Sequence, residues 1–405
     1  FSQPLDVAPM SQAQNKDEKQ DQKPATALEK AQAAETKIAE YHSMVIDGLM
    51  GPILPLYKDN GISEIMINGP DTIFYEKSGK LIQTDITFHT ERDLVALARA
   101  ILQFVGKRLV PEELSLEARM PDGSRVHIVQ SPAARPGLSI AIRKFPEHRV
   151  TMRNLVDDFK SFTPQVEEFI TAAMQNHLNV IVSGGTGSGK TTLLNALSEL
   201  IDPAERIIII EDATELQFSE DNHVLQFETV RPNREGHGGI TIRELLKASL
   251  RMRPDRVIVG ECRSGEAIDM VQAMNTGHSG SMSTVHSNSP IDCLARLETL
   301  CLMSEIEIPL VALQRQLASA IDVVVQTSRY RGIRRVTEIA EVLDYDIETG
   351  KYELQTLFEL RPDADGPGGL ILSWTGAVPR MGHGATEIGE TLAKGWQDSI
   401  ITPAD

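Results

Sequence analysis

The feature that most constrains the fold is one glycine-rich octapeptide, Gly184-Gly185-Thr186-Gly187-Ser188-Gly189-Lys190-Thr191. It has the spacing G-x-x-x-x-G-K-T of a phosphate-binding loop, in which backbone N–H groups turn inward around an anion. The apolar residues 179–183 before it predict a buried strand, and residues 192–198 after it predict a helix whose positive end faces the same anion. A chance glycine-rich turn is the alternative, and the strand–loop–helix context disfavours it. We expect Lys190 to reach the β- and γ-phosphates of a nucleotide and the Thr191 hydroxyl to ligate Mg²⁺.

Composition excludes several classes of protein. The chain has 405 residues, enough for two or three domains, and its 41% apolar content is ordinary for a soluble protein. Its net charge of −17 argues against nucleic acid as the main partner, because such partners require a basic surface. No run of 18 apolar residues is present, so we expect no membrane span. The three cysteines form no C-x-x-C pair, which argues against a structural zinc site or a disulfide framework and favours a reducing cytoplasm.

Changes in residue pattern divide the chain into segments. Strands and helices alternate after residue 164, and this alternation predicts a mostly parallel sheet with helices on both faces. The segments before it have mixed patterns or a polar composition. The predicted segments are a disordered leader at 1–25, a helical segment at 26–50, a small α/β domain at 51–145, a linker or hinge at 146–163, an α/β nucleotide-binding domain at 164–345, and a hairpin with a glycine-rich tail at 346–405.

Two carboxylates end predicted buried strands. Glu211 follows the run Ile207–Ile210, and Glu261 follows Val257–Gly260. Ligands bind at the carboxyl ends of parallel strands, and hydrolysis needs carboxylates to hold Mg²⁺ and orient water. The alternative is that strand ends are acidic because they reach solvent. The phosphate-binding loop in the same domain favours a functional role for both carboxylates.

Histidines bracket a further predicted strand. His278 and His286 stand among small residues at 276–286 that allow close backbone approach. A lone histidine is more often structural than catalytic, and for this pair both interpretations stay open. Zinc is disfavoured, because no third ligand accompanies them at metal spacing.

Arginines form the last candidate group. Arg119 and Arg125 frame a predicted turn of the first domain, while Arg251 and Arg263 flank the strand that ends at Glu261. An arginine at a γ-phosphate can raise turnover by about 10³–10⁵. The alternative for each arginine is a surface ion pair worth less than about 1 kcal/mol.

In combination and in order, four motifs resemble those of the type II/type IV secretion ATPase superfamily, and in particular its CpaF/TadA branch, the ATPases of tight-adherence (Flp) pili. They are the phosphate-binding loop, I-E-D-x-x-E-L at 210–216, R-P-D-x-x-x-x-G-E-x-R at 253–263 and T-G-H-x-G…T-x-H at 276–286. Residues 62–70, 120–126 and 374–380 also resemble that branch, so the match spans about residues 49–380. The chain lacks the C-x-x-C…C-x-x-C insertion of other branches, which favours the Flp-pilus or conjugation-type branches over type II secretion.

The resemblance implies a hexameric cytoplasmic motor with a RecA-like domain that binds ATP and Mg²⁺. It would act peripherally at the inner membrane through a platform protein, and residues 146–163 would serve as its hinge. Alternatives are a nucleotide-gated scaffold with little turnover and a conjugation-type ATPase coupled to DNA. The resemblance also implies roles for individual residues: Lys190 and Thr191 at the phosphates and Mg²⁺, Glu211 and Glu261 sharing metal and water, His278 and His286 sensing the γ-phosphate or coupling it to domain motion, and Arg119 and Arg125 completing the site. We also expect Thr192, Arg251 and Arg263 to contact the nucleotide.

Overall fold

The computed structural model describes residues 44–77, 79–145, 149–218, 221–232, 235–330, 332–363, 366–382 and 386–401. The predicted leader at 1–25 lies outside the described residues, as does the predicted helical segment up to residue 43. The chain divides into two compact units, Phe1–Lys144 and Phe145–Asp405. Among the described helices, none is both long and apolar enough to cross a membrane.

The first unit is built around an antiparallel sheet of six strands in the order β3–β2–β1–β6–β5–β4. One amphipathic helix begins at Thr90, where the threonine and Asp93 form a reciprocal capping box, and its apolar face joins the core of the sheet. The described elements are α1 (44–50), a 3₁₀ turn (Gly51–Ile53), α2 (Leu54–Lys58), β1 (Ile62–Asn68), β2 (Ile73–Lys77), β3 (Lys80–Thr84), α3 (Glu91–Phe104), β4 (Ser115–Arg119), β5 (Arg125–Val129) and β6 (Ser139–Arg143).

The second unit contains a nine-stranded sheet in the order β15–β14–β13–β12–β7–β11–β10–β8–β9. The six strands from β12 to β9 are parallel, as predicted, and the other three extend the sheet antiparallel. The strands are β7 (Val180–Gly184), β8 (Arg206–Glu211), β9 (His223–Glu228), β10 (Arg256–Val259), β11 (Met282–Val285), β12 (Val323–Tyr330), β13 (Ile333–Asp346), β14 (Lys351–Pro362) and β15 (Leu370–Trp374).

Helices cover both faces of this sheet. Val180 and Val182 of β7 join one core, which also contains residues of α4, α5 and α10, whereas Ile181 joins a second core with α6 to α9. Because both faces of the sheet are covered, every residue of β7 is buried and the strand begins with a continuous apolar run. The helices are α4 (Pro164–Gln175), α5 (Lys190–Ser198), α6 (Ile242–Ser249), α7 (Glu266–Asn275), α8 (Pro290–Leu302), α9 (Leu310–Ala320) and α10 (Thr386–Ile401).

A buried ion pair stands at the edge where the parallel strands begin. Arg256, at the start of β10, is 1% exposed and donates through Nη2 to Glu205 Oε1 at 2.9 Å. The same guanidinium also donates to the backbone oxygens of Met174 and Gly280. These bonds tie the loops before β8 and β11 to the end of α4.

The segment predicted as a linker belongs structurally to the second unit where it is described. Met152, Leu155 and Phe162 are buried in the core that also holds α4, and Asn154–Asp158 forms one turn of π-helix. Arg149 donates to the backbone oxygen of Asn195 in α5. The apolar residues of this segment are too widely spaced to give a periodic signal, and the sequence pattern therefore resembled a linker.

The segment 346–405 differs from its predicted form. The hairpin forms at Asp346–Lys351, but β13 runs through the predicted boundary, and β14 and β15 continue the same sheet. Trp396 of α10 is 2% exposed and packs edge-on against Phe358 and Trp374, with ring centroids 5.5 Å and 5.4 Å away. Its indole N–H donates to Glu168 Oε2 at 2.7 Å. These contacts place the predicted tail in the core of the second unit.

Candidate active site

The glycine-rich loop connects β7 to α5 and leaves the amino end of that helix without a side-chain cap. Gly187 and Gly189 have φ values of 68° and 101°, which glycine adopts without strain. Gly189 occupies the N-cap position and offers no side chain to the first N–H groups of α5. Those groups have no partner within the helix, so they can bind an anion.

Strand β12 holds the loop in place from one side. The Thr327 hydroxyl donates to the backbone oxygen of Ser183 at 2.9 Å and lies 2.8 Å from the Ser188 hydroxyl. A Cβ atom added at Gly184 would stand 2.2 Å from the same threonine oxygen. Only glycine fits at this position, and the loop geometry is fixed by the neighbouring strand before any ligand binds.

The Lys190 side chain lies against the loop. Its Nζ donates to the backbone oxygens of Gly184 at 3.0 Å and Gly185 at 3.2 Å, and it stands 3.3 Å from His286 Nε2. Burial lowers the pKa of Lys190, and the carboxylate of Glu261, 4.0 Å away, opposes that shift. The Lys190 ammonium therefore already lies beside the position that an anion would occupy in the loop.

Glu261 directs its two oxygens to different neighbours. Oε2 accepts from Arg263 Nε at 2.6 Å, and Arg263 also reaches Asp212 at 3.2 Å. Oε1 is buried and lies 2.8 Å from His286 Nε2, yet no described residue gives it a hydrogen bond of regular geometry. This oxygen is free to accept a proton from water or to face a metal ion.

Glu211 has a structural task at the end of β8. It is 4% exposed, and its Oε1 accepts from the backbone N–H groups of Glu215 at 2.9 Å and Leu216 at 3.1 Å. A Cβ atom at Gly260 would stand 2.9 Å from Glu211 Cγ, so this side chain packs directly on the residue before Glu261. At least one of its oxygens is committed to the loop after β8.

These groups fit a nucleoside triphosphate with Mg²⁺. The uncapped end of α5 and Lys190 suit phosphate oxygens, and the Thr191 hydroxyl and the unbonded oxygen of Glu261 suit the ion and its water. Within the described residues no group of three or more His, Cys, Asp or Glu side chains could hold a metal unaided.

The structure separates the two histidines. His286 follows β11 and lies beside Lys190, whereas His278 precedes β11 and stands at the edge where the parallel strands begin. A strand of four residues spans about 13 Å, so one phosphate cannot be reached from both ends. Arg251 likewise lies between α6 and β10, at the edge remote from the loop.

The remaining predicted residues divide between the units. Thr186 and Thr192 belong to the loop and the first turn of α5, and Arg263 contacts Glu261. Arg119 and Arg125 lie in the first unit, directly opposite each other across the β4–β5 hairpin. Sequence analysis missed Thr327, because a single threonine at the end of an apolar run carries no signal that it contacts the loop.

Comparisons with known proteins agree with this architecture. The sequence profile described as "Type II/IV secretion system protein" matches residues 49–340. Type IV secretion system protein PtlH of Bordetella pertussis is 36% identical over 322 residues, covering 73% of this chain and 94% of that protein. A putative conjugal transfer protein of Mycobacterium tuberculosis is 33% identical over 303 residues, covering 72% of this chain and 83% of its own length.

Solved structures show a similar fold at lower identity. The pilus retraction motor PilT with bound ADP matches with a TM-score of 0.53 and 19% identity, covering 87% of this chain and 88% of its own. The ATPase DotB of Legionella pneumophila matches with a TM-score of 0.52 and 20% identity, covering 74% and 81%. The profile match and the relatives above 30% identity together show that this chain belongs to the type II/IV secretion system protein family.

Proposed function

We propose that this chain is a Mg²⁺-dependent ATPase that powers a secretion or pilus machine. The observation that carries the proposal is the convergence of Lys190, His286 and the unbonded oxygen of Glu261 at the glycine-rich loop. A cradle alone would bind nucleotide, whereas a buried carboxylate oxygen that accepts no hydrogen bond of regular geometry also provides for hydrolysis. The relatives named as secretion and conjugal transfer proteins support the same class of activity.

Each side chain has a distinct task in this proposal. Lys190 leaves the carbonyls of its own loop and neutralises the β- and γ-phosphates, while the backbone of the loop binds the phosphate oxygens. Thr191 and Glu261 would hold the Mg²⁺, and the bound ion would supply positive charge to the transferred phosphoryl group. Glu261 Oε1 accepts the proton of the attacking water, and Glu211 keeps the loop after β8 in place.

His286 connects the proposed base to the proposed phosphate ligand. Its Nε2 lies 2.8 Å from Glu261 Oε1 and 3.3 Å from Lys190 Nζ. Burial and the charge of Lys190 lower the pKa of His286, so the ring is neutral at pH 7 and can accept or donate one hydrogen bond. The catalytic roles of Arg119 and Arg125 stay predictions, as do a role for His278 and the catalytic and metal-binding role of Glu211.

We further propose a homohexamer, cytoplasmic and peripheral at the inner membrane through a platform protein. The tight-adherence (Flp) pilus is the favoured machine, because residues 62–70, 120–126 and 374–380 resemble the CpaF/TadA branch. A conjugation or type IV secretion machine is the second candidate, since relatives at 33% and 36% identity carry those names. DNA-stimulated hydrolysis would favour the second candidate, and the net charge of −17 argues against such stimulation.

Two variants with matched controls test the activity. Lys190→Ala should abolish both nucleotide binding and hydrolysis, whereas Glu261→Gln should keep binding and lower turnover by about 10²–10⁴. Lys351→Ala and Glu353→Gln change the same residue types at exposed positions of β14 and should behave as wild type. Wild-type turnover in Glu261→Gln would contradict the role of Glu261 as the general base. Stoichiometric binding with negligible hydrolysis by the assembled wild-type ring would favour the scaffold alternative, and mass measurement with and without ATP tests the hexamer.

A further inference from the structure

Strand β12 contacts the loop that follows β11 as well as the phosphate-binding loop. Gln326, the residue before Thr327, is 3% exposed and lies beside Ser183 of β7 in the register of the sheet. Its Nε2 donates to the backbone oxygens of Ser287 and Thr327, both at 3.3 Å. Both partners are acceptors, so the nitrogen of the amide faces them. Because β7 lies between β12 and β11, Gln326 reaches across β7 to the residue that follows His286.

A second contact holds Ser287 from β7 itself. The hydroxyls of Ser183 and Ser287 are hydrogen-bonded to each other, and Ser183 is fully buried. The Ser287 hydroxyl also lies 3.1 Å from the backbone oxygen of Ser289, the N-cap residue of α8. Ser183 directly precedes Gly184, where the glycine-rich loop begins. Ser287 is therefore fixed both to the strand that leads into the loop and to the start of α8.

The amide of Gln326 is costly to bury at this position. Its Oε1 is buried and accepts no hydrogen bond from any part of the chain that the structure describes. An unpaired buried acceptor lowers stability, and an apolar side chain of similar length would avoid that penalty. Stability alone therefore favours an apolar residue here, and the use of the amide lies in the bond that its nitrogen donates to Ser287.

His286 is the functional residue that this bond can hold in place. Its Nε2 lies 2.8 Å from Glu261 Oε1 and 3.3 Å from Lys190 Nζ. The side chain is 44% exposed, so packing alone does not fix the ring and the backbone beside it has to be held. We propose that Ser287 and Gln326 are positioning residues that keep the His286 ring between Glu261 and Lys190. This inference rests on the proposed ATPase function and adds two residues that lie outside the four motifs.

Hydrolysis and nucleotide affinity, measured together, test the positioning role. Ser287→Ala and Gln326→Met should each lower kcat about 3- to 10-fold, a factor that one neutral hydrogen bond can supply, with the ADP dissociation constant unchanged. Neither change should lower kcat further in a His286→Ala background, because the ring that they position is then absent. Ser287→Thr keeps the hydroxyl and should recover most of the rate. Ser373→Ala, at a partly exposed serine of the edge strand β15, is the control and should match wild type.

A chemical probe of the ring gives a readout that does not require activity. Diethyl pyrocarbonate acylates an unprotonated imidazole nitrogen, and Glu261 and Lys190 stand against His286 Nε2. In nucleotide-free Ser287→Ala and Gln326→Met, peptide mass spectrometry should show faster modification of His286 than in wild type. The rate at the exposed His89 should stay the same in all of them.

Three results would overturn the inference. They are unchanged modification of His286 in both variants, a loss of kcat as large in the His286→Ala background as in wild type, and a loss of ADP affinity equal to the loss of kcat. The last result would assign both residues to the phosphate-binding loop instead. Wild-type protein that hydrolyses no ATP would reject the proposed function, and the modification rates of His286 would then decide this inference alone.

Discussion

Replacing Arg263 by glutamine should impair hydrolysis without impairing nucleotide binding. The guanidinium approaches the same oxygen of Glu261 from two nitrogens, at 2.6 Å and 2.5 Å, and a third nitrogen stands 3.2 Å from Asp212. This arrangement turns the other oxygen of Glu261 toward Lys190 and His286. Arg263 therefore positions the proposed base, whereas its motif alone had suggested direct contact with nucleotide.

The size of the effect follows from the contact that is lost. A hydrogen bond to a charged group contributes about 1.5–3 kcal/mol. If that energy serves to hold Glu261 in its reactive orientation, kcat falls by about 10- to 100-fold, since each 1.36 kcal/mol corresponds to about tenfold in rate. The Arg263 side chain is 63% exposed, so its contribution to the free energy of unfolding stays below about 1 kcal/mol.

Three measurements on Arg263→Gln separate positioning from binding. Steady-state ATP hydrolysis should show the loss in kcat, while the dissociation constant for ADP and the thermal midpoint should stay near wild type. Arg263→Lys should retain part of the rate because it keeps one charged donor. Arg361→Gln is the matched control, an exposed arginine beside a glutamate at 3.1 Å. A large loss of ADP affinity with kcat intact at saturation would refute the positioning role and restore the nucleotide contact.

Three further changes test the fold around the site. Gly184→Ala should lose nucleotide binding, because its Cβ would stand 2.2 Å from a threonine hydroxyl of β12. Gly185→Ala is the control and should lose less affinity, because its Cβ meets no atom within 4 Å; equal ADP affinities of the two variants would contradict this prediction. Glu205→Ala should lower the free energy of unfolding by about 3–5 kcal/mol in a urea titration, because it strands the buried charge of Arg256, and a double variant with Arg256→Met should recover part of the loss. Burial raises the pKa of Glu341, so the stability that this group contributes is largest at acid pH and is lost as pH rises through its folded pKa. Glu341→Gln should therefore gain stability relative to wild type as pH rises above the ordinary carboxyl value of 4.5, and a difference independent of pH would exclude the effect.

Local signals predicted the central part of the fold. β7 and α5 were predicted close to their observed bounds, because both flank the glycine-rich motif and β7 begins with an uninterrupted apolar run. β3 was missed because its side chains are mostly exposed, which leaves no alternation to detect. The C-terminal strands were missed because polar residues interrupt their pattern, and only the pairing with β13 shows that they belong to the sheet.

The candidate site was predictable only in part, because sequence order does not give side-chain direction. The motifs named Glu261 and Lys190, and the structure places their charged groups 4.0 Å apart. The sequence predicted the strand between His278 and His286. The prediction did not recognise that this strand places the two residues at opposite edges of the sheet. Contacts such as that of Arg334 with Gly189 join residues far apart in the chain, and a single sequence carries no signal for them.

The aromatic packing of α10 also has an optical consequence. The chain contains two tryptophans, Trp374 and Trp396, and they share one cluster. Tryptophan fluorescence, excited at the long-wavelength edge of the absorption band, therefore reports the docking of α10. It does not respond to unfolding that is confined to the first unit. A fluorescence unfolding curve of this protein follows the second unit alone, and loss of the first unit has to be monitored by circular dichroism.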